Sequence, residues 1–182
     1  MNAQNINMAF CGGETGQWRI RSQMAVAGST LPDAEFLSVS EIAPQPSAWT
    51  LTGFASNLRY TDARDRDALK DRSEGLGRPT ARHAALIPIR KSDDWWAMAQ
   101  DERTAVFVRA QHTPIGMDYL PAVARKLYHS RDLAEPFDFL TWFEFAAEDE
   151  PAFDHMLERL RMSEEWQYVT HEVDIRLSRH AF

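Results

Sequence analysis

The chain has 182 residues, 44% hydrophobic and 26% charged, enough for one well-buried core and too few for two comfortable domains; this composition argues against a fibrous or disordered protein. A formal net charge of −7 and a pI near 5.3 leave no electrostatic footprint for a polyanion, so nucleic acid is not an expected partner. No apolar run approaches the ~20 residues that cross a bilayer, and the opening MNAQNINMAFCGGETG has neither a basic leader nor an apolar signal core, so the expectation is a cytoplasmic protein with no membrane partner.

Gln17–Ala27 carries Trp, Ile and Val in partial alternation and predicts a strand. Residues 28–47, rich in Ser, Pro and Ala, read as a long irregular connection. Trp49–Tyr60 is β-like again, with Gly53 marking a bulge. Thr61–Glu74 is highly charged and reads as a solvated helix ended by GLGRPT. Ala84–Arg90 is a short apolar run suited to a buried strand, which Pro88 confines to an edge or a strand end.

Ser92 can cap a short helix bearing Trp95 and Trp96, and Asp101 can start another through TAVFVRA. His112 stands just before a Thr-Pro-Ile-Gly turn. From Asp118 onward, Leu120, Val123, Ala124, Leu127 and Tyr128 recur at helical spacing with Pro121 in the first turn, which predicts a packed helix with Arg125 off its apolar stripe. Phe137–Phe145 gives the clearest strand, with Phe137, Phe139, Thr141, Phe143 and Phe145 on one face. Phe153, Met156, Leu157 and Leu160 form another helical stripe. Trp166–Leu177 reads as the last strand, with Val169, Val173, Ile175 and Leu177 on one side and Trp166, Tyr168, Thr170, Glu172, Asp174 and Arg176 on the other. Strands and helices in this order predict α+β layers with the helices on one face of an antiparallel sheet.

Two side chains carry chemistry worth pairing. The neutral imidazole of His112 is a good axial donor to iron, and the guanidinium of Arg125 keeps its charge wherever it is placed. Alone, His112 would read as one of six mostly structural histidines; His83, His129, His155, His171 and His180 show no zinc-like spacing and read as packing or surface residues. Cys11 has no partner for a disulfide or a CxxC site.

The stretches KSDDWW (Lys91–Trp96), His112–Arg125, FDFLTWFEF (Phe137–Phe145) and LRMSEEWQYVTHEVDIRL (Leu160–Leu177) resemble the chlorite dismutase family, in particular its short, dimeric branch. The resemblance covers about half of the chain. It implies one unit over residues 1–182 with an α+β, ferredoxin-like dimeric α+β barrel, its antiparallel sheet wrapped outside by helices. Residues 1–83 would be a shortened N-terminal half and residues 84–182 the haem-binding half. It also implies haem b, one per subunit, chlorite and other small anions as ligands, and a homodimer.

Matched position by position, His112 corresponds to the proximal iron ligand and Arg125 to the distal arginine. Glu164 corresponds to the carboxylate that hydrogen-bonds the proximal imidazole, with Glu165 the alternative one residue on. Lys91, Trp95 and Trp96 correspond to residues around the haem propionates and edge. Where some short members place a glutamine beside the distal arginine, this chain offers Arg72 or Ser73. The implied activity is conversion of chlorite to chloride and dioxygen. A coproheme decarboxylase-like enzyme is one alternative, disfavoured because such relatives generally lack the distal arginine; a non-catalytic haem-binding or sensing protein that keeps His112 is the other.

Overall fold

The structure is a computed structural model that describes residues 7–55, 67 and 71–179. Its strands are β1 (Asn7–Gly13), β2 (Trp18–Ala27), β3 (Phe36–Ser40), β4 (Trp49–Phe54), β5 (His83–Lys91), β6 (Ala124–His129), β7 (Phe139–Phe145) and β8 (Val169–Arg179). Four α-helices lie among the described residues: α1 (Asp93–Ala97), α2 (Gln100–Arg109), α3 (His112–Asp118) and α4 (Glu150–Arg161). The strands pair antiparallel and close into a barrel in the order β1-β3-β2-β8-β5-β7-β6-β4.

Alternation along the strands divides the apolar residues into two cores. Phe10, Trp18, Leu37, Leu51, Leu86, Leu140, Trp142 and Ile175, drawn from seven of the strands, fill the barrel interior. The alternate residues Ala85, Ile87, Ile89, Phe139, Phe143 and Phe145 face outward and are covered by Ile115 of α3 and by Phe153, Met156, Leu157 and Leu160 of α4. Each of these four α4 side chains contributes about 1.5–3 kcal/mol on burial, so the stripe, rather than helix propensity, holds α4 on the barrel. Val173, Ile175 and Leu177 of the last strand point inward as expected, but Val169, expected on the same side, packs against the outer core instead.

Several expectations are corrected. Residues 118–128 do not form a helix: α3 ends at Asp118, the Leu120–Pro121 peptide is cis, and β6 begins at Ala124. The apolar spacing there fitted a helix, but the residue before a proline is pushed out of the helical region, and pairing with β7 then takes the segment. His112 opens a helix instead of preceding a turn, with Pro114 in the first turn, where the missing N–H is harmless. The stretch 28–47 contains β3, and β1 lies in the N-terminal stretch for which no element was expected. Pro88 sits in a central strand, β5, paired on both sides; the register with β8 runs to Leu86 and resumes at Ile89, so the position without a donor falls in the gap. Gly53 is no bulge. It pairs regularly with Met8, and a Cβ there would meet Tyr128 Cβ at 2.8 Å. The last strand begins at Val169, behind a 3-10 helix over Glu164–Tyr168. Most of the expected helix 61–74 lies outside the described residues, as does His180.

Candidate active site

The site lies on the outer face of the barrel, between β5, β7 and β6 and the helices α2 and α3. Arg125 stands opposite Phe143, and Leu127 opposite Thr141. Phe143 faces outward, so Arg125 and Leu127 do too, towards α3. Leu127, Thr141, Trp96 and Trp166 are only half-buried, unlike the closed core beneath α4.

His112 is fixed from three directions. Its backbone begins α3, its ring stacks on Phe107 at 4.5 Å between centroids and 22° between planes, and its Nδ1 lies 2.7 Å from Glu165 Oε2. Glu165 is 5% exposed, and behind it the equally buried Lys91 brings Nζ to 2.9 Å from Oε1 and 3.3 Å from the Glu165 carbonyl oxygen. Burial alone would push the Glu165 carboxyl up, but His112 and Lys91 together outweigh it and hold it at about 2. Burial lowers the Lys91 ammonium, with the charges of Glu165 and Asp138 opposing. An ionised carboxylate only accepts, so His112 Nδ1 donates. The neutral ring therefore keeps its lone pair on Nε2, the tautomer a metal requires.

The carboxylate facing His112 is thus Glu165, which corrects the expectation of Glu164. Adjacent residues of a 3-10 helix diverge by about a third of a turn. Glu164 points away to the surface, where its two oxygens accept from Arg109 Nε at 3.0 Å and Nη2 at 2.8 Å.

Lys91 and the tryptophans, expected around the haem propionates and edge, have these neighbours in the structure. Lys91 is spent on Glu165, with Nζ 4.3 Å from the centre of the buried Trp95 ring and 5.6 Å from that of Trp166. Trp96 is clasped between Arg131, 3.9 Å from its ring centre, and the stacked Phe139, and donates Nε1–H to Asp138 Oδ2 at 3.1 Å. Sequence reasoning missed Asp138. It is buried and accepts from Lys91 N, Trp96 Nε1 and Arg131 Nη1, so it ties β5 and α1 to the edge of β7. Its only signal was an acid flanked by phenylalanines. Phe107 was missed for want of any local signal.

The Arg125 guanidinium reaches α3 at Gly116, one turn from His112 on the same helix face. Burial lowers it from its ordinary value, and the Glu165 charge draws it up. Among the described residues no side chain hydrogen-bonds to it; Arg72 and Ser73 are exposed, and Ser73 Oγ accepts from Gly75 N instead.

These groups fit an iron macrocycle better than a bare ion. Among the described residues no three side chains of His, Cys, Asp or Glu converge. One tautomer-fixed imidazole beside a half-buried apolar wall is the donor set left for a metal whose other positions are filled by its own ring.

A chlorite dismutase family model matches residues 17–181. The chain is 48% identical to the dimeric chlorite dismutase of Nitrobacter winogradskyi, with a TM-score of 0.91 over 95% of this chain and 99% of that one. The chlorite dismutase of Ideonella dechloratans is 32% identical over 124 residues, 65% of this chain; the chain spans about two fifths of that relative, 41% of its length. The Candidatus Nitrospira defluvii enzyme in complex with imidazole, 18% identical with a TM-score of 0.63 over 97% of this chain and 92% of that one, shares the fold. With nearly all of its length matched and the same barrel formed, the chain belongs to the chlorite dismutase family.

Proposed function

We propose that the chain is a haem b enzyme, one cofactor per subunit of a homodimer, that converts chlorite to chloride and dioxygen. The family is haem-dependent, and a Nitrobacter winogradskyi relative is dimeric. The observation that carries the reading is the line His112–Glu165–Lys91, with 2.7 Å and 2.9 Å contacts and Nε2 left as the donor.

Bound haem supplies a redox-active iron at which chlorine is reduced to chloride and the two oxygens of chlorite are joined. The chain's own residues do the rest. His112 Nε2 would hold the iron. Glu165 takes the Nδ1 proton in a charge-assisted bond and makes the ring a stronger donor. Lys91 adds to His112 in keeping that carboxylate ionised in a buried place. Arg125 would offer a permanent cation to an anionic substrate. Trp96, pinned by Arg131, Phe139 and Asp138, gives a fixed flat edge to the cleft.

The test is haem-loaded protein under an oxygen electrode. Chlorite should release one dioxygen per chloride. Haem uptake without oxygen release would instead indicate a non-catalytic binder, and peroxide-driven mass loss from coproheme-loaded protein would indicate a decarboxylase.

A further inference from the structure

Asp138 is a buried carboxylate to which the proposed chemistry assigns no direct part. It stands one residue before β7, between Phe137, which packs into the barrel interior, and Phe139, which faces outward. The ladder between β5 and β7 stops at Ile89 and Phe139, and just past its end Lys91 N donates to Asp138 Oδ2 at 2.7 Å. The same oxygen accepts from Trp96 Nε1 at 3.1 Å, and Oδ1 accepts from Arg131 Nη1 at 3.2 Å. The main chain of Asp138 is committed as well: its N–H donates to the Ile89 carbonyl oxygen at 2.9 Å, and its own carbonyl oxygen accepts from Ser130 N at 2.9 Å. Anchored at its base and occupied at both oxygens, the carboxylate is held in one orientation.

We infer that Asp138 is a positioning residue that ties the His112–Glu165–Lys91 line to the Trp96 edge of the cleft: one oxygen, Oδ2, fixes the main chain of Lys91 and the ring of Trp96 together. The inference rests on the functional reading above and adds the group that joins its two sides. Lys91 is held at both ends, by Asp138 on its main-chain nitrogen and by Glu165 on Nζ, so a shift of its main chain is passed to Glu165 and from there to His112. Arg131, paired with Asp138 Oδ1, lies 3.9 Å from the centre of the Trp96 ring, so the orientation of the indole and the place of the cation on it come from the same carboxylate. The Asp138 charge also favours the protonated form of Lys91. An apolar residue between Phe137 and Phe139 would fill the space and leave the donors of Lys91 and Trp96 without their acceptor, which is costly where both are shielded from water.

The experiment is nitrogen–proton NMR of the cofactor-free protein, with the Trp96 indole and His112 ring signals identified by their loss in Trp96→Phe and His112→Ala. In wild type the Lys91 amide and the Trp96 indole N–H should both exchange slowly with solvent; fast exchange at either overturns the inference. Asp138→Ala should move the Trp96 indole signal and the His112 ring signals, whereas Trp96→Phe should move His112 far less. Asp138→Asn, whose amide oxygen still accepts from both donors, should restore most of both shifts, and Asp138→Leu, which fills the space without an acceptor, should restore neither. Either signal unmoved in Asp138→Ala, or recovery in the Leu variant equal to that in the Asn variant, would overturn the inference. With haem loaded, Asp138→Ala should surrender it to apomyoglobin several-fold faster than Trp96→Phe does, because it frees Lys91 as well as the indole; release no faster than from Trp96→Phe overturns the link. If no protein takes up haem, the functional reading fails, and the spectra still decide the inference. Should the Ala and Leu variants not fold, the wild-type exchange rates decide it.

Discussion

Two clusters of buried charge sit on the outside of the same barrel, and they are finished differently. Glu172 and Asp174 on β8 are 1% and 2% exposed, and all four of their oxygens are taken. Arg161 donates to Glu172 Oε1 and Asp174 Oδ2, Arg176 to both oxygens of Asp174, and Trp166 Nε1 to Glu172 Oε2. The second cluster has one carboxylate, Glu165, serving Lys91 and His112, and it ends in a ring nitrogen with no partner among the described residues. The first is closed and holds α4 to β8. The second is one bond short among the described residues, at the imidazole that Phe107 and Glu165 orient. Trp166 stands between them, donating to Glu172 while Lys91 lies 5.6 Å from its ring centre.

The largest effects should come from cutting the open cluster at its end. His112→Ala should abolish retention of haem, seen as loss of the Soret band after gel filtration, with the fold retained by circular dichroism. Arg125→Ala should keep haem but lower chlorite turnover by on the order of 100-fold, the usual cost of losing a charge-stabilising donor; an unchanged rate would remove Arg125 from the chemistry. Lys91→Met leaves Glu165 ionised against His112 alone in a buried place and should cost on the order of 3 kcal/mol of stability, measured by urea unfolding, with weaker haem binding as well.

The closed cluster should answer differently. Arg161→Met should cost a comparable or smaller amount of stability, because Arg176 and Trp166 still partner the carboxylates, and should leave the haem spectrum unchanged. Its pH signature is the smallest effect. Burial raises Asp174, but Arg176 and Arg161 more than offset it and hold it below its ordinary 3.8. A carboxyl depressed on folding contributes stability fully above its unfolded value and loses it as pH falls through the folded one. The melting temperature should therefore fall as pH drops below about 4, and Asp174→Asn should flatten that slope while lowering stability at neutral pH.

The sequence made the strands legible where alternation was strong. Phe139, Phe143, Phe145 and Trp142 of β7 and the inward Val173, Ile175 and Leu177 of β8 needed no more than period two, whereas Phe137, expected on the face of the other phenylalanines, precedes β7 and packs into the barrel interior. It misled where one apolar set satisfies two periods. Leu120, Val123, Ala124 and Leu127 fit a helix until β7 offers a partner, and the residue before Pro121 resists the helix. His112 and Arg125 were readable only through resemblance, since nothing local distinguishes them. The choice between Glu164 and Glu165 could not be made in sequence, because neighbours in a 3-10 turn carry the same chemistry to different places. The pairing of Lys91 with Glu165 was not legible because the two lie 74 positions apart.

That pair of neighbouring glutamates offers the most direct test of the central claim, that Glu165 backs the iron-binding imidazole. The measurement is the ferric–ferrous reduction potential of haem-loaded Glu165→Gln and Glu164→Gln. A neutral amide at 165 withdraws charge from the His112 ring and should raise the potential clearly above wild type, whereas the change at 164 removes only a solvent-exposed bond to Arg109 and should leave it unmoved. A shift in Glu164→Gln with none in Glu165→Gln would contradict the account.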